Sequence, residues 1–277
     1  MSSELFASIF DDPFHDVFLS PESHAQSYKS RTPYPHAQFD GVFRKGFLRQ
    51  VAAEFPDLQA AANVRKYDTA NERKIASKGE IQFGPTSLSL MHFLNSLPFL
   101  RFLEQLTGIK HLLPDPMFHG GGFHEIKPGG FLKIHADFNV HQIYGLDRRL
   151  NVLVYLNEDW EAEYGGHFEL WSRDMQECKE KILPLFNRMV VFSTTSDSYH
   201  GHPDPLTCPP DRSRRSLALY YYTNGRPEEE VTEAAGTLFR DRPGIDATPS
   251  TFHRVKRTAG AIARDVLPPF ITRMLRS

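Results

Sequence analysis

The chain has 277 residues, of which 40% are hydrophobic and 24% charged, and its formal net charge is −2 at pH 7. This much apolar material can build one large core, alone or with helical additions, and we expect a single main domain. The nearly balanced charge gives no overall attraction to nucleic acid or to an anionic membrane, and we expect no nucleic-acid partner.

Cysteine content and targeting patterns restrict the compartment. Cys178 and Cys208 are the only cysteines, which argues against a disulfide framework and fits a reducing compartment. The first residues, MSSELFASIFDDPFHDVF, carry acidic groups where a signal peptide has basic ones. No stretch approaches the roughly 20 apolar residues of a membrane span, so we expect a cytoplasmic protein.

The N-terminal part is predicted to be helical after an irregular start. Residues 1–34 are punctuated by Ser, Asp and Pro, which indicates an irregular arm held by a few aromatic side chains. Apolar residues at helical spacing predict a helix over 43–55, and a second helical region over 86–106 is interrupted near Pro98 and ends at Gly108. Between them, the polar segment KYDTANERKIASKGE is predicted to be an exposed loop.

From Met117 onward, short β-rich runs alternate with Gly, Pro, Asn and Asp clusters, which is typical of a sandwich or barrel. We predict an α+β fold with a mainly β core, a double-stranded β-helix (jelly roll) with flanking N-terminal helices and a C-terminal helical tail. The predicted parts are 1–115 for the arm and helices, 116–225 for the core, and 226–277 for a C-terminal extension. The predicted strands lie near 117–126, 131–137, 149–156, 167–171, 182–193, 198–202 and 215–223.

The segment 251–277 is helical in pattern and mostly basic. Such a tail can dock on an anionic membrane or an acidic partner, but packing on its own domain with a solvated charged face is the more frequent arrangement. The oligomeric state is left open by the sequence, and this segment is the first candidate for contacts between copies.

The triplet His135-Ala136-Asp137 is the strongest candidate for chemistry. Side chains two residues apart on a strand share a face, so both groups can reach one metal ion from inside a barrel. Two histidines and one carboxylate form the facial triad that holds iron(II) with open coordination positions. The triplet alone is weak evidence, because a second His-x-Asp occurs at His202-Pro203-Asp204.

Several motifs in a fixed order strengthen this interpretation. The motifs lie between residues 128 and 223 and read PGGFLKIHADFN, RRLNVLVYLNEDW, YGGHFELW, NRMVVFSTTSDSYHGHP and RRSLALYYYT. In this order, they resemble the iron(II)- and 2-oxoglutarate-dependent dioxygenases, and within them the prolyl 4-hydroxylase-like group.

The resemblance implies a metal site and its cofactors. His135, Asp137 and His200 are expected to be the catalytic iron ligands. His200 and His202 share a face, and the family pattern His-Gly-x-Pro places the ligand at His200, leaving His202 to support a ligand or to line the mouth of the site. The cofactors would be Fe(II), 2-oxoglutarate as co-substrate and O2, with ascorbate as a supporting reductant.

The resemblance also suggests residues for the co-substrate. The family's basic residue at the start of the last long strand matches Arg215, and in that register Leu217, Leu219 and Tyr221 face inward while Arg214 is a surface charge. The list of candidates for 2-oxoglutarate binding is Arg215, Tyr155 and Asn151. Tyr155 as plain barrel core is the alternative for that position.

The implied activity is hydroxylation of a C–H bond, coupled to oxidative decarboxylation of 2-oxoglutarate to succinate and CO2. The expected substrate is peptidyl or small, either a prolyl residue or an amino-acid-like or other metabolite. Two alternatives stand beside it, namely a cupin-type metal dioxygenase that uses no 2-oxoglutarate, and a catalytically silent barrel used for partner binding.

Overall fold

A curled antiparallel sheet dominates the computed structural model, which describes residues 9–230 and 235–246. The helices are α1 (Asp12–Leu19), α2 (Glu22–Ser30), α3 (Lys45–Ala53), α4 (Pro85–Leu94) and α5 (Leu97–Thr107). The strands are β1 (His36–Asp40), β2 (Arg65–Asp68), β3 (Glu72–Ala76), β4 (Leu113–Pro114), β5 (Gly122–Ile126), β6 (Phe131–Ala136), β7 (Asp147–Tyr155), β8 (Phe168–Trp171), β9 (Cys178–Ile182), β10 (Arg188–Ser193), β11 (His200–His202), β12 (Arg214–Thr223) and β13 (Leu238–Phe239).

The strand order shows how the sheet curls. It runs β1-β10-β7-β12-β5-β3-β6-β11-β8-β9, with β2 paired to β3, β4 to β12 and β13 to β6. Strand β3 joins the two halves, because it pairs with β5 on one side and with β6 on the other. The curled sheet with flanking helices is a double-stranded β-helix, which confirms the predicted fold class.

The two faces of the sheet have different chemistry. On the outer face, alternating residues of β7 and β12 such as Val152 and Leu219 join the main hydrophobic core with Leu90 and Leu103 from the helices. On the inner face, the same two strands present Asn151 and polar residues of β12 to a cavity. Along these strands, the apolar side chains at alternate positions are buried under the helices. The polar side chains between them therefore line the interior of the barrel.

Two local predictions are wrong, and packing explains both. The arm predicted to be irregular contains α1 and α2: Phe10, Phe14 and Phe18 follow helical spacing and stack on the buried Phe43 and Phe102. The segment predicted to be an exposed loop is the β2–β3 hairpin. Its backbone is satisfied by pairing with the rest of the sheet, so its polar side chains do not prevent strand formation.

Other boundaries agree with the predictions or differ locally. The helix predicted over 43–55 is α3, and the interrupted helical region is α4 and α5, ended by Gly108 in the left-handed conformation. The single strand predicted over 182–193 is instead two strands, β9 and β10, because the chain turns between them with Asn187 at a φ of 64°.

The described residues up to Arg240 lie in one compact unit, and those from Asp241 onward belong to another. In the second unit, the guanidinium of Arg242 pairs with the carboxylate of Asp246 at 3.0 Å. The predicted basic helix over 251–277 lies outside the described residues. Among the described helices, none has the length and apolar character needed to cross a bilayer.

Candidate metal centre and co-substrate cavity

The structure brings His135, Asp137 and His200 together on the inner face of the sheet. His135 on β6 is the cross-strand partner of His200 on β11, and Asp137 follows directly after β6. One candidate ligand atom from each residue lies within 4.8 Å of the others. The Nε2 atom of His135 is 3.6 Å from Oδ1 of Asp137, and Nε2 of His200 is 3.3 Å from Oδ2.

Backbone contacts fix the protonation of both imidazoles. Nδ1 of His135 donates to the Lys133 carbonyl at 2.8 Å, and Nδ1 of His200 donates to the Ser198 carbonyl at 2.8 Å. Because a carbonyl can only accept, the ring proton sits on Nδ1 and the Nε2 lone pair points to the carboxylate. Burial, together with the nearby His200, lowers the pKa of His135, which favours its neutral form.

Three electron-pair donors therefore face one another in a buried space. Such an arrangement is repulsive unless a cation lies between the donors, so these residues fit a divalent metal ion. Two imidazoles and one carboxylate are the donor set of non-haem iron(II) sites.

The carboxylate of Asp137 is held in place by Arg148 and Asn151. The Asn151 side-chain amide donates to Oδ2 of Asp137 at 2.8 Å, and Nη2 of Arg148 is 2.9 Å from the same oxygen. Arg148 in turn donates to the Asn151 side-chain oxygen and lies 3.5 Å over the ring of Tyr220. Burial alone would raise the pKa of Asp137, but the guanidinium of Arg148 holds it well below its usual range. In the sequence, only the location of Arg148 near the metal-bearing hairpin suggested that it could face the substrate, and nothing indicated its contact with Asp137.

Arg214, and not Arg215, points into the cavity that contains the metal cluster, so the predicted orientation of these two residues is wrong. Arg214 is 4% exposed and lines this cavity. Its Nε donates to the Gly166 carbonyl at 2.9 Å, and its Nη2 donates to the Tyr155 hydroxyl at 3.3 Å. In the described part of the chain, no carboxylate pairs with Arg214, and burial lowers its pKa.

Arg215 lies on the opposite face of β12. Its side chain is 37% exposed, contacts the ring of Phe55 and lies 3.6 Å from the carboxylate of Glu125. The prediction failed because it assumed that the apolar alternation of β12 lines the barrel interior. Leu217 and Tyr221 instead enter the core beneath the helices. Arg215 lies at an alternate position with them and so shares their face of β12.

Tyr155 and Asn151 share the inner face, as predicted. The Tyr155 hydroxyl contacts Arg214, and burial raises the pKa of Tyr155, which keeps it a neutral hydroxyl. The side-chain amide of Asn151 forms hydrogen bonds with Asp137 and Arg148. Asn151 therefore contacts the metal cluster and not the space near Arg214.

The inner cavity has further polar groups that the sequence analysis did not assign to it or left undecided. It has a volume of about 80 Å³, and Lys74, His124, His202 and Ser216 line it together with the metal cluster and Arg214. His202 is 3% exposed, and within the described part of the chain neither of its ring nitrogens has a hydrogen-bond partner. Ser216 stands two residues after Arg214 on β12 and so shares its face, which places it in this cavity as well.

A second cavity of about 210 Å³ opens on another side of the metal cluster. The two cavities share Lys74, Leu132, His135, Asp137 and Tyr220. The second cavity is further lined by aromatic and charged side chains from the β2–β3 hairpin and neighbouring elements: Arg65, Tyr67, Glu72, Phe138, Arg148 and Phe239.

Two imidazoles and one carboxylate on a double-stranded β-helix, next to a cavity whose Arg214 has no carboxylate partner among the described residues, are typical of non-haem metal oxygenases. Residues 121–222 match the model of the 2OG-Fe(II) oxygenase superfamily. Prolyl 3,4-dihydroxylase OGFOD1 of Ostreococcus tauri is 25% identical over 236 residues, which cover 78% of this chain and 43% of the relative. The chain thus spans less than half the length of that curated relative.

Two solved structures share the fold. A Pseudomonas putida prolyl-4-hydroxylase aligns with a TM-score of 0.54 and 16% identity, covering 74% of this chain and 99% of the other. A Trichoplax adhaerens prolyl hydroxylase, in complex with a hypoxia-inducible-factor peptide fragment, aligns with a TM-score of 0.55 and 14% identity, covering 76% and 93%.

Over residues 121–222 the chain is thus similar to the iron(II)- and 2-oxoglutarate-dependent oxygenases, and its fold is that of the two prolyl hydroxylase structures. The family uses Fe(II), 2-oxoglutarate and O2 as cofactors, and the His-Asp-His cluster fits that requirement.

Proposed function

We propose that this enzyme hydroxylates a prolyl residue of a peptide or protein, with 2-oxoglutarate bound between the His135–Asp137–His200 cluster and Arg214. When bound, iron(II) supplies the oxidative chemistry: one oxygen atom of O2 enters the substrate C–H bond, and the other enters succinate as 2-oxoglutarate loses CO2. The observation that carries this proposal is the buried guanidinium of Arg214, which lies in the same cavity as the metal cluster and has no carboxylate partner among the described residues.

The residues of the cluster would bind the metal and hold it in one orientation. His135, Asp137 and His200 provide the donor atoms, and the backbone carbonyls bonded to Nδ1 keep each imidazole turned toward the metal. Asn151 and Arg148 orient the carboxylate of Asp137 through Oδ2. We therefore assign Asn151 to metal positioning and not to direct co-substrate binding.

Arg214 would bind the distal carboxylate of 2-oxoglutarate. A planar guanidinium can donate two parallel hydrogen bonds to a carboxylate, and it is the better partner than an ammonium for a bidentate contact. Gly166 and Tyr155 already hold Arg214 in place, so little side-chain freedom is lost when the ligand binds. Ser216, whose side chain faces the same cavity, would add a hydroxyl donor.

The second cavity would receive the substrate. It borders His135 and Asp137, and the rings of Tyr67, Phe138 and Phe239 give it the apolar walls that suit a pyrrolidine ring. Support for a prolyl substrate also comes from the curated relative, whose name is prolyl 3,4-dihydroxylase. One of the structural relatives is a prolyl hydroxylase in complex with a peptide fragment.

The experiment is to incubate the purified protein with Fe(II), ascorbate, O2, 2-oxoglutarate and a library of proline-containing peptides. We expect succinate to form and some peptides to gain one oxygen atom on proline, as seen by tandem mass spectrometry. His135→Ala should abolish both products, whereas His36→Ala, at a buried histidine outside both cavities, should retain them. Succinate that depends on His135 but comes with no modified proline would refute the prolyl part of the proposal and turn the screen to amino acids and small metabolites.

A further inference from the structure

His202 shares the inner face with the candidate metal ligand His200. The two residues are separated only by Gly201 on β11, and both side chains line the inner cavity. Ordinary strand spacing offsets residues two apart by about 6.6 Å. A Cβ atom at Gly201 would lie 2.7 Å from the Leu132 carbonyl oxygen and 2.8 Å from that of Lys133. The absence of a side chain at Gly201 thus lets β11 lie close to β6, with both imidazoles turned into the inner cavity.

The imidazole of His202 is buried without hydrogen bonds. It is 3% exposed, and both Nδ1 and Nε2 lack a partner among the described residues. A neutral imidazole has one N–H donor and one acceptor nitrogen, and leaving such groups unsatisfied in a buried place is unfavourable. The polar edge of His202 therefore indicates a ligand in the cavity.

The charged groups near His202 favour an anionic ligand. Arg214 and Lys74 line the same cavity as His202, and both are cationic. Lys74 is paired with Glu72 at 3.0 Å, but Arg214 has no carboxylate partner in the described chain. An anion that contacts Arg214 would also lie beside the imidazole.

We propose that His202 is a positioning residue for the co-substrate, in which a ring N–H donates to the same distal carboxylate of 2-oxoglutarate that Arg214 binds. This inference rests on the proposed function. In 2-oxoglutarate, two methylene groups separate the metal-chelating end from the distal carboxylate, and this spacing is comparable with the offset from His200 to His202. His202 thus sets the depth of the co-substrate, and Arg214 neutralises its charge.

Two keto acids that differ only at the distal end test this role. Calorimetry with the manganese(II)-loaded protein would measure the Kd of 2-oxoglutarate and of 2-oxopentanoate, which replaces the distal carboxylate with a methyl group. In His202→Leu, we expect the Kd of 2-oxoglutarate to rise about tenfold and that of 2-oxopentanoate to stay within about twofold. His202→Gln, which keeps an N–H donor, should recover part of the affinity for 2-oxoglutarate.

The matched control is His36→Leu. His36 is also fully buried and has one ring nitrogen without a partner, but it lies outside the cavity. We expect this variant to bind both keto acids as the wild type does. Should His202→Leu fail to fold, His202→Met, which also lacks an N–H donor, provides the comparison.

The outcomes separate the two proposals. Equal weakening of both keto acids, or no weakening of either, in a folded His202 variant that lacks an N–H donor would overturn the role of His202 and leave the oxygenase proposal intact. If the metal-loaded wild type fails to bind 2-oxoglutarate, the proposed function falls and the role of His202 falls with it.

Discussion

Exchange of two adjacent arginines for methionine tests the orientation of β12 and the place of the co-substrate. Arg214→Met removes the buried guanidinium from the inner cavity, whereas Arg215→Met removes a half-exposed side chain on the opposite face. Methionine keeps much of the length and apolar volume of the arginine stem, so packing changes little.

The magnitude follows from the contacts that a carboxylate would make with Arg214. A hydrogen bond to a charged group contributes about 1.5–3 kcal/mol, so loss of a bidentate contact should cost about 3 kcal/mol. Since 1.4 kcal/mol corresponds to a tenfold change in Kd, the Kd of 2-oxoglutarate should rise roughly 100-fold in Arg214→Met. In Arg215→Met, it should stay within about twofold.

Calorimetric titration of the manganese(II)-loaded variants measures both constants. Thermal unfolding without 2-oxoglutarate is the control for a general loss of structure. We expect Arg214→Met to unfold near the wild-type temperature, because burial of this unpaired cation does not favour the native state. Strong loss of affinity in Arg215→Met together with normal affinity in Arg214→Met would refute the assigned orientation.

Three further predictions concern the metal and its surroundings. Asn151→Leu should raise the Kd for manganese(II) about 10–100-fold by releasing Asp137, as measured by metal titration, and an unchanged Kd would count against its positioning role. Tyr155→Phe should weaken 2-oxoglutarate about fivefold in calorimetry, because the hydroxyl that accepts from Arg214 is lost; equal affinity would mean that the hydroxyl does not matter. Metal at about 100 times its Kd should raise the wild-type Tm by a few degrees, and a similar rise in His200→Ala would argue against this ligand.

The parts of the site that came from local spacing were the most predictable. His135 and Asp137 stand two residues apart, so strand periodicity alone places them on one face. The β-rich run after Met117 indicated the barrel, and helical spacing with Gly108 at its end indicated the helices. These features depend on a few neighbouring residues, which the sequence displays directly.

For a strand that is buried on both sides, hydrophobicity alone did not predict which residues face the cavity. In β12, one alternation is apolar and the other is polar, yet both are largely buried. The apolar residues at alternate positions of β12 pack under the helices, and the polar residues between them line the cavity. The expectation that apolar residues face the barrel interior therefore assigned Arg214 and Arg215 to the wrong faces of the strand. The useful signal was the polar alternation Arg214, Ser216, Tyr220, which is unusual for a strand buried on both faces.

The β2–β3 hairpin was also not predictable from the sequence, because it depends on pairing between strands that are distant along the chain. Its sequence is polar and charged, and only the pairing of β3 with both β5 and β6 makes it part of the sheet. Arg148 was likewise unremarkable in sequence, because its role depends on Asp137 and Tyr220, which are distant along the chain.

Isotope labelling of succinate tests the central claim most directly. Wild-type protein with Fe(II), ascorbate and 2-oxoglutarate would be exposed to ¹⁸O2 with the peptide library, alongside His135→Ala. The proposed site predicts that wild-type succinate carries one labelled oxygen atom and that His135→Ala yields no labelled succinate. Absence of labelled succinate from the wild type, or an equal yield from the variant, would contradict the assignment of this cluster as an iron(II) and 2-oxoglutarate oxygenase site.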